Sequence, residues 1–267
     1  MIIQRPGQKI LTIGNPGLQI ISPRGGAAWT PANISGLKLW IDFSDADTLF
    51  TDAGSTPVSS DGDAIYQAND KSGNGNHVLQ ATSAYRPSYK VNIKNSLSVS
   101  RYDTNKYLEA ILTDFVANQP ITTFVVGYEN AVINTAAYNP IWSFGEPITP
   151  TRKVAGFCLE TTSADSIRLY GGYTSYANTT YQTWYSWAHR YNGDGQAFDG
   201  WLNGDALSVT ASAIGNLDIS SGSFKVGRLR SEHFYGDIAE LAFCFGAVSD
   251  EDIALMFTYL NNKWNIY

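Results

Sequence analysis

The sequence predicts an all-β fold: a two-sheet antiparallel sandwich with one C-terminal amphipathic helix and an extended N-terminal arm. Three observations lead there. Short apolar, β-branched and aromatic runs alternate with Gly, Asn, Asp and Ser turns from Trp29 onward, the pattern of many strands at close spacing. Only one stretch carries a helical apolar period. The composition, 43% hydrophobic against 16% charged, suits pleated, half-buried surfaces better than solvated helix faces.

Residues 1–28 stand apart, because Pro6, Gly7, Gly14, Pro16, Gly17, Pro23, Gly25 and Gly26 break them into short β-prone pieces. Such pieces build no core alone. They read either as a flexible tail or as an arm that adds strands to a neighbouring sheet, with Ile2, Ile3, Ile10, Ile13, Leu18, Ile20 and Ile21 filling partner grooves. A domain spanning 29–267 then opens with a strand over Leu37–Phe43, closed by the turn chemistry of Asp42, Ser44, Asp45 and Asp47. The Gly-, Ser-, Asp- and Asn-rich stretch from Asp52 to Asn76 surrounds a short strand at Ala64–Gln67. Further strands are expected at Leu97–Tyr102, Tyr107–Ile111, Thr122–Tyr128, Ile141–Phe144, Gly156–Thr161, Ser166–Gly171, Trp184–Tyr191, Phe198–Asn203 and Ser223–Leu229.

The close of the chain is the most legible part. From Ile238 to Phe245 both alternating faces are apolar except at Glu240, which predicts a mid-sheet strand covered on both sides. Ser249 before Asp250, Glu251 and Asp252 supplies an N-cap and a capping-box carboxylate, so a helix begins near Asp250. Ile253, Met256, Phe257, Leu260 and Trp264 form one apolar stripe, which predicts a helix packed on a sheet.

A chain of 267 residues with net charge -6 can bury a sufficient core without a cofactor or metal staple. It has no basic cluster of the kind that nucleic acid or an anionic membrane surface attracts, and no apolar run long enough to span a bilayer. The N-terminus lacks a secretory apolar region, so the chain reads as soluble and not exported by that route. Cys158 and Cys244 lie in apolar runs and read as buried thiols.

Catalytic constellations are sought and not found. There is no Glu-x-Asp-x-Glu strand, no Gly-x-Ser-x-Gly and no phosphate loop, and His77, His189 and His233 stand isolated. Asp237 and Glu240 are three apart, which sends them to opposite strand faces unless a bulge intervenes. Asp70, Asn74 and Asn76 alternate as hard oxygen ligands do in a calcium loop, but no bidentate acid follows and Asx-turns explain the same composition. The remaining signal is aromatic. Tyr170, Tyr173 and Tyr176, in a Gly-rich loop, are the exposed candidates for stacking on a sugar, while most aromatics of the run through Tyr181, Trp184, Tyr185 and Trp187 read as core or cross-strand pairs.

Several stretches together resemble the concanavalin A-like lectin/glucanase jelly roll in its laminin-G-like form. They are Gly36-Leu-Lys-Leu-Trp-Ile-Asp42, Asp70-Lys-Ser-Gly-Asn-Gly-Asn76-His77 with Arg86-Pro87, Trp187 to Gly193 through Trp201-Leu-Asn-Gly204, and Phe224-Lys-Val-Gly227 followed by Phe234 to Glu240 and Tyr259-Leu-Asn-Asn-Lys263-Trp264. This opening, and a helix ending in Lys-Trp, are similar to versions found on bacteriophage virions in head decoration, tail or fibre proteins. The resemblance implies a jelly roll and a non-enzymatic virion structural protein, attached through its arm, displayed on the virion surface after assembly in the host cytoplasm. Its partners would be other capsid or tail proteins and further copies of itself in a closed oligomer. The alternative is a carbohydrate-binding, lectin-like module that recognises host surface glycans.

Overall fold

The computed structural model describes residues 28–130, 138–145, 154–160, 166–169, 173–176, 179–193, 198–211 and 222–267. The arm residues Ile2, Ile3, Ile10, Ile13, Leu18, Ile20 and Ile21 lie outside these, as does Tyr170. Side chains at 138, 154, 155, 158, 160, 166–169, 173–176, 198 and 209–211 are also outside the description.

Two large antiparallel sheets pack face to face as a jelly-roll sandwich, with one α-helix at the C-terminus. The first sheet is built on the long strand Gly236–Phe245, buried at every position as the sequence predicts. Ile121–Glu129 pairs along one side of it, followed outward by Trp184–Tyr191, Phe198–Leu202 and Asp205–Ala206. Two strands share its other side. Leu97–Tyr102 pairs with Gly236 to Ile238, and the opening strand Leu37–Asp42 pairs with Glu240 to Cys244. Ser88–Lys94 forms the edge beyond Leu97–Tyr102.

The second sheet runs in the order Val209–Ala211, Tyr173–Tyr176, Ser166–Leu169, Val154–Glu160, Tyr138–Gly145, Ser223–Val226, Leu108–Ile111, Val78–Leu79, Gln67–Ala68 and Leu49–Phe50. Three expectations are corrected here. Ser223–Leu229 is not one strand: Gly227, at φ +85, turns the chain between Ser223–Val226 and Arg228–Leu229, and glycine is required there because a Cβ would lie 2.5 Å from the Tyr102 ring. The strand expected at Ala64–Gln67 shrinks to Gln67–Ala68, with only an isolated bridge at Ala64. Tyr173–Tyr176 is a paired strand between Ser166–Leu169 and Val209–Ala211, not part of a loop.

Burial divides the first sheet's two faces. Ile238, Leu241, Phe243 and Phe245 enter the core between the sheets, where Phe243 meets Phe224 at 4.9 Å and Phe144 at 5.3 Å between ring centroids. Ala239, Ala242 and Cys244 face the other way, onto the helix Asp250–Trp264. The helix seats its whole stripe, Ile253, Met256, Phe257, Leu260 and Trp264, on that small-residue floor together with Phe124, Val126 and Ala188. Ser249 Oγ accepts from the Asp252 amide at 3.1 Å, the expected cap. Arg190 fixes the helix start by donating to the Val248 carbonyl and to Asp250, each at 2.7 Å. At the other end Asn265 takes the left-handed conformation that stops a helix, at φ 50.

His189 lies in the inter-sheet core, 2% exposed, with its ring 4.4 Å from that of Phe157. Burial pushes its imidazole down to about 3. The folded chain therefore resists a proton that the unfolded chain accepts near the ordinary value of 6.5, so stability is lost as pH falls through that window. Between about pH 6.5 and 5 the unfolding free energy should fall with a slope approaching ~1.4 kcal/mol per pH unit. In urea titrations His189→Gln should lose most of that slope.

Candidate ligand-binding surface

The acidic residues singled out in the sequence are consumed by architecture. A bulge at Ala239 shifts the register of the closing strand between Ile238 and Glu240. It thereby puts Asp237 and Glu240 on the same face, the helix side, which is the exception that their spacing left open. They still do not form an acid pair in a groove. Asp237, 2% exposed, accepts a two-pronged bond from Arg101 at 2.7 and 2.8 Å, and that pairing raises the guanidinium's pKa.

Glu240 is 1% exposed and accepts from four donors. Oε1 takes the Trp40 indole N–H at 2.7 Å and the Tyr259 hydroxyl at 3.0 Å, while Oε2 takes the Trp264 indole N–H at 2.8 Å and Lys263 Nζ at 2.9 Å. Lys263 also reaches Asp42 Oδ1 at 2.6 Å, and Lys71 joins Asp42 Oδ2 at 3.0 Å to Asp45 at 2.6 Å. Burial pushes Glu240 up, against the pull of Lys263. Asp42 is also buried, but Lys263, Ser44 and Lys71 outweigh that and hold it below the usual carboxylate range.

The Asp70 to His77 loop docks on the same strand. Asp70 accepts from the Trp40 and Ser72 amides on one oxygen and from Ser72 Oγ and the Asn76 amide on the other, at 2.7 to 3.0 Å. The side-chain amides of Asn74 and Asn76 donate to the Leu37 and Lys38 carbonyls. Four protein donors satisfy Asp70, so Asx-turn chemistry accounts for the loop that resembled a calcium site. Among the described residues no group of three or more His, Cys, Asp or Glu is placed to hold a metal ion, and no helix is long and apolar enough to cross a membrane. The three histidines lie apart: His77 Nδ1 accepts from the Asp70 amide, His189 is in the core, and His233 sits on the Arg228–His233 ribbon. Cys244 is buried, which pushes its thiol up, and faces the helix.

Among the described residues, a surface open to a ligand lies on the second sheet. Leu108 and Ala110 point into the core, so Glu109 and Ile111 point outward. Glu109 sits between Leu79 on one neighbouring strand and Lys225 on the other. Beside them the rings of Tyr85 and Tyr107 lie 5.9 Å apart at 32°, and the Arg228 guanidinium stands 4.6 Å from the Tyr107 ring centroid. The Tyr107 amide bonds the Tyr85 carbonyl at 3.0 Å. Arg86 holds the preceding turn by donating to the Gln80 and Ala81 carbonyls, each at 2.9 Å. Leu79, Tyr85 and Ile111 are 36%, 39% and 68% exposed. The result is a ledge of aromatic and aliphatic surface with a cation, a carboxylate and a lysine at hand. It can stack on an apolar face and bond hydroxyls around it. No sequence signal identified it, because Tyr85 at the end of a short 3-10 helix, Tyr107 just before a strand and Arg228 in a two-residue strand are far apart in the chain and meet only in the fold.

No protein-family model and no curated protein matches the sequence. Solved structures do. A GH54 α-L-arabinofuranosidase superposes with TM-score 0.57 at 16% identity, over 89% of this chain and 61% of that one. The binding domain of Paraclostridial Mosquitocidal Protein 1 gives 0.53 at 12%, over 85% and 53%. A Trypanosoma rangeli sialidase gives 0.50 at 11%, over 92% and 36%. At these identities the likeness is one of fold, a β-sandwich, and this chain spans less than two thirds of each of the three.

Removing the Glu240 carboxylate would leave the Trp40 and Trp264 indoles and the Tyr259 hydroxyl without their acceptor, and Lys263 with Asp42 as its remaining carboxylate partner. Glu240→Ala should therefore cost roughly 3–5 kcal/mol of stability, read as a lowered urea midpoint, while Glu240→Gln, which keeps an acceptor, should cost less.

Proposed function

We propose that this chain is a non-catalytic recognition subunit of a bacteriophage particle: a jelly-roll domain that binds glycans on its second sheet and is carried by residues 1–28. The observation that carries the binding half is the Tyr85–Tyr107–Arg228 ledge, whose exposed Tyr85 ring and half-buried Tyr107 ring lie beside Glu109 and Lys225. A pyranose has an apolar C–H face and a hydroxyl rim, and this surface offers a counterpart to each. The non-catalytic reading is supported by the use of Asp42, Asp237 and Glu240 in buried ion pairs, where none is open to a bound sugar as general acid or nucleophile.

The particle half rests on the resemblance of the opening and closing segments to virion proteins. Its support is that the two segments form one physical unit, with Lys263 bonding both Glu240 and the opening strand's Asp42. On this reading the isoleucines of the arm dock on capsid or tail neighbours.

On an array of bacterial surface glycans the full chain should bind a restricted set, and Tyr107→Ala or Arg228→Ala should weaken that binding at least ~10-fold, about 1.4 kcal/mol. Binding that survives both substitutions but is lost in Tyr173→Ala would move the site to the other end of the sheet. Deleting residues 1–28 should leave a folded domain that no longer joins the particle. Undiminished incorporation would remove the attachment role.

A further inference from the structure

The charge cluster beneath the helix has the parts of a bond-forming site. Lys263 Nζ touches two carboxylates at once, Asp42 Oδ1 at 2.6 Å and Glu240 Oε2 at 2.9 Å. The Asp42 and Glu240 side chains are 6% and 0% exposed, and that of Lys263 is 19% exposed. Aromatic groups line the site: Lys263 Nζ stands 5.0 Å from the Trp264 ring and 5.8 Å from the Tyr259 ring, and Trp40, Tyr259 and Trp264 all donate to Glu240. An amine, a carboxyl carbon's own oxygen and a second, drier carboxylate are thus fixed within contact of one another.

We propose that Lys263 and Asp42 join through an intramolecular amide bond, formed by the folded chain itself with Glu240 as the proton carrier. Glu240 takes a proton from the Lys263 ammonium and passes it to Asp42, and the freed Nζ attacks Cγ of the neutral carboxyl. A second proton from Nζ follows through Glu240 to the departing Asp42 oxygen, which leaves as water. An ammonium and a carboxylate become one amide and one water, and Glu240 ends as it began. No oxidant or co-reactant is required. In water this condensation is unfavourable; proximity and the exclusion of solvent are what a buried site contributes. Burial pushes Glu240 up, in the direction that lets it accept the ammonium's proton.

Lys71 provides an internal comparison. It also meets Asp42, at 3.0 Å, but its second partner is Asp45, whose side chain is 34% exposed, and Glu240 is not among its contacts. The cluster therefore selects Lys263 over Lys71. The bond would tie the opening strand of the sandwich to the last turn of its helix, closing almost the whole domain into a covalent loop.

The test is the mass of the full chain under denaturing conditions. The wild type should be lighter than its sequence by one water, whereas Lys263→Arg, which keeps the cation but lacks the amine, should have its full mass. Lys71→Arg should still lose the water. Trypsin should yield residues 39–71 joined to 231–267 in place of a free 264–267 peptide, which separates the amide from dehydration at an Asp or Asn elsewhere. Glu240→Gln should fold and keep its full mass. A wild type at full sequence mass, a free 264–267 peptide, or a link through Lys71 would each overturn the proposal; the wild-type peptides decide it even if a variant fails to fold.

Discussion

A carboxyl group in a protein interior must have its oxygens bonded by donors or lose its charge, and Glu240 is buried in the middle of the longest described strand. Its four donors come from the opening strand and from the last turns of the helix. The requirement reaches further through Lys263 to Asp42, through Asp42 to Lys71, and through Trp40's own amide to Asp70 and its loop. Helix, first strand and loop are thereby positioned by one demand for satisfied charge. The apolar stripe supplies the affinity of helix for sheet; the Glu240 cluster fixes where along the sheet the helix sits.

That arrangement needs the Ala239 bulge. With strict alternation after Ile238, Glu240 would face the phenylalanine core between the sheets, and Leu241 would face the helix. The extra residue sends Ala239 and Glu240 both to the helix side and returns Leu241, Phe243 and Phe245 to the core. The irregular hydrogen bonding is accommodated, because the Ala239 carbonyl accepts from the Phe43 amide at 3.0 Å. Gly36 has a related function. At φ +78 it lets the chain enter the first strand where a Cβ would stand 2.1 Å from the Phe245 carbonyl oxygen.

Local signals made the close of the chain legible. The Ser249 cap, the helix stripe and the two-sided burial of the closing strand each follow from a short pattern with a single physical cause, and each appears in the fold at its expected residue. Strand positions were less legible where pairing rather than pattern decides. Ser88–Lys94 alternates Tyr89, Val91 and Ile93 with Ser88, Lys90, Asn92 and Lys94, a period-two strand signal that the expected strands left out, whereas the two-residue strands at Leu49–Phe50 and Val78–Leu79 are too short to have a period. The bulge was legible only as a condition on Asp237 and Glu240, because a register shift depends on the partner strand. The Tyr85–Tyr107–Arg228 ledge could not be read at all, since its members are joined by the sheet and not by spacing. The Tyr170 to Tyr176 stretch drew attention because its aromatics crowd together in sequence, yet residues 173–176 pair as a strand.

The two sheets therefore divide the work. One carries the helix and the charge cluster that holds the domain together, and the other presents the aromatic ledge to solvent. Native-state hydrogen exchange tests the central claim, that Glu240 makes helix, opening strand and Asp70 to His77 loop one cooperative unit. The account predicts that amides in all three segments open with a common free energy, and that Glu240→Gln lowers all three together. Independent opening of the helix, with the strand and loop unchanged in the variant, would contradict it.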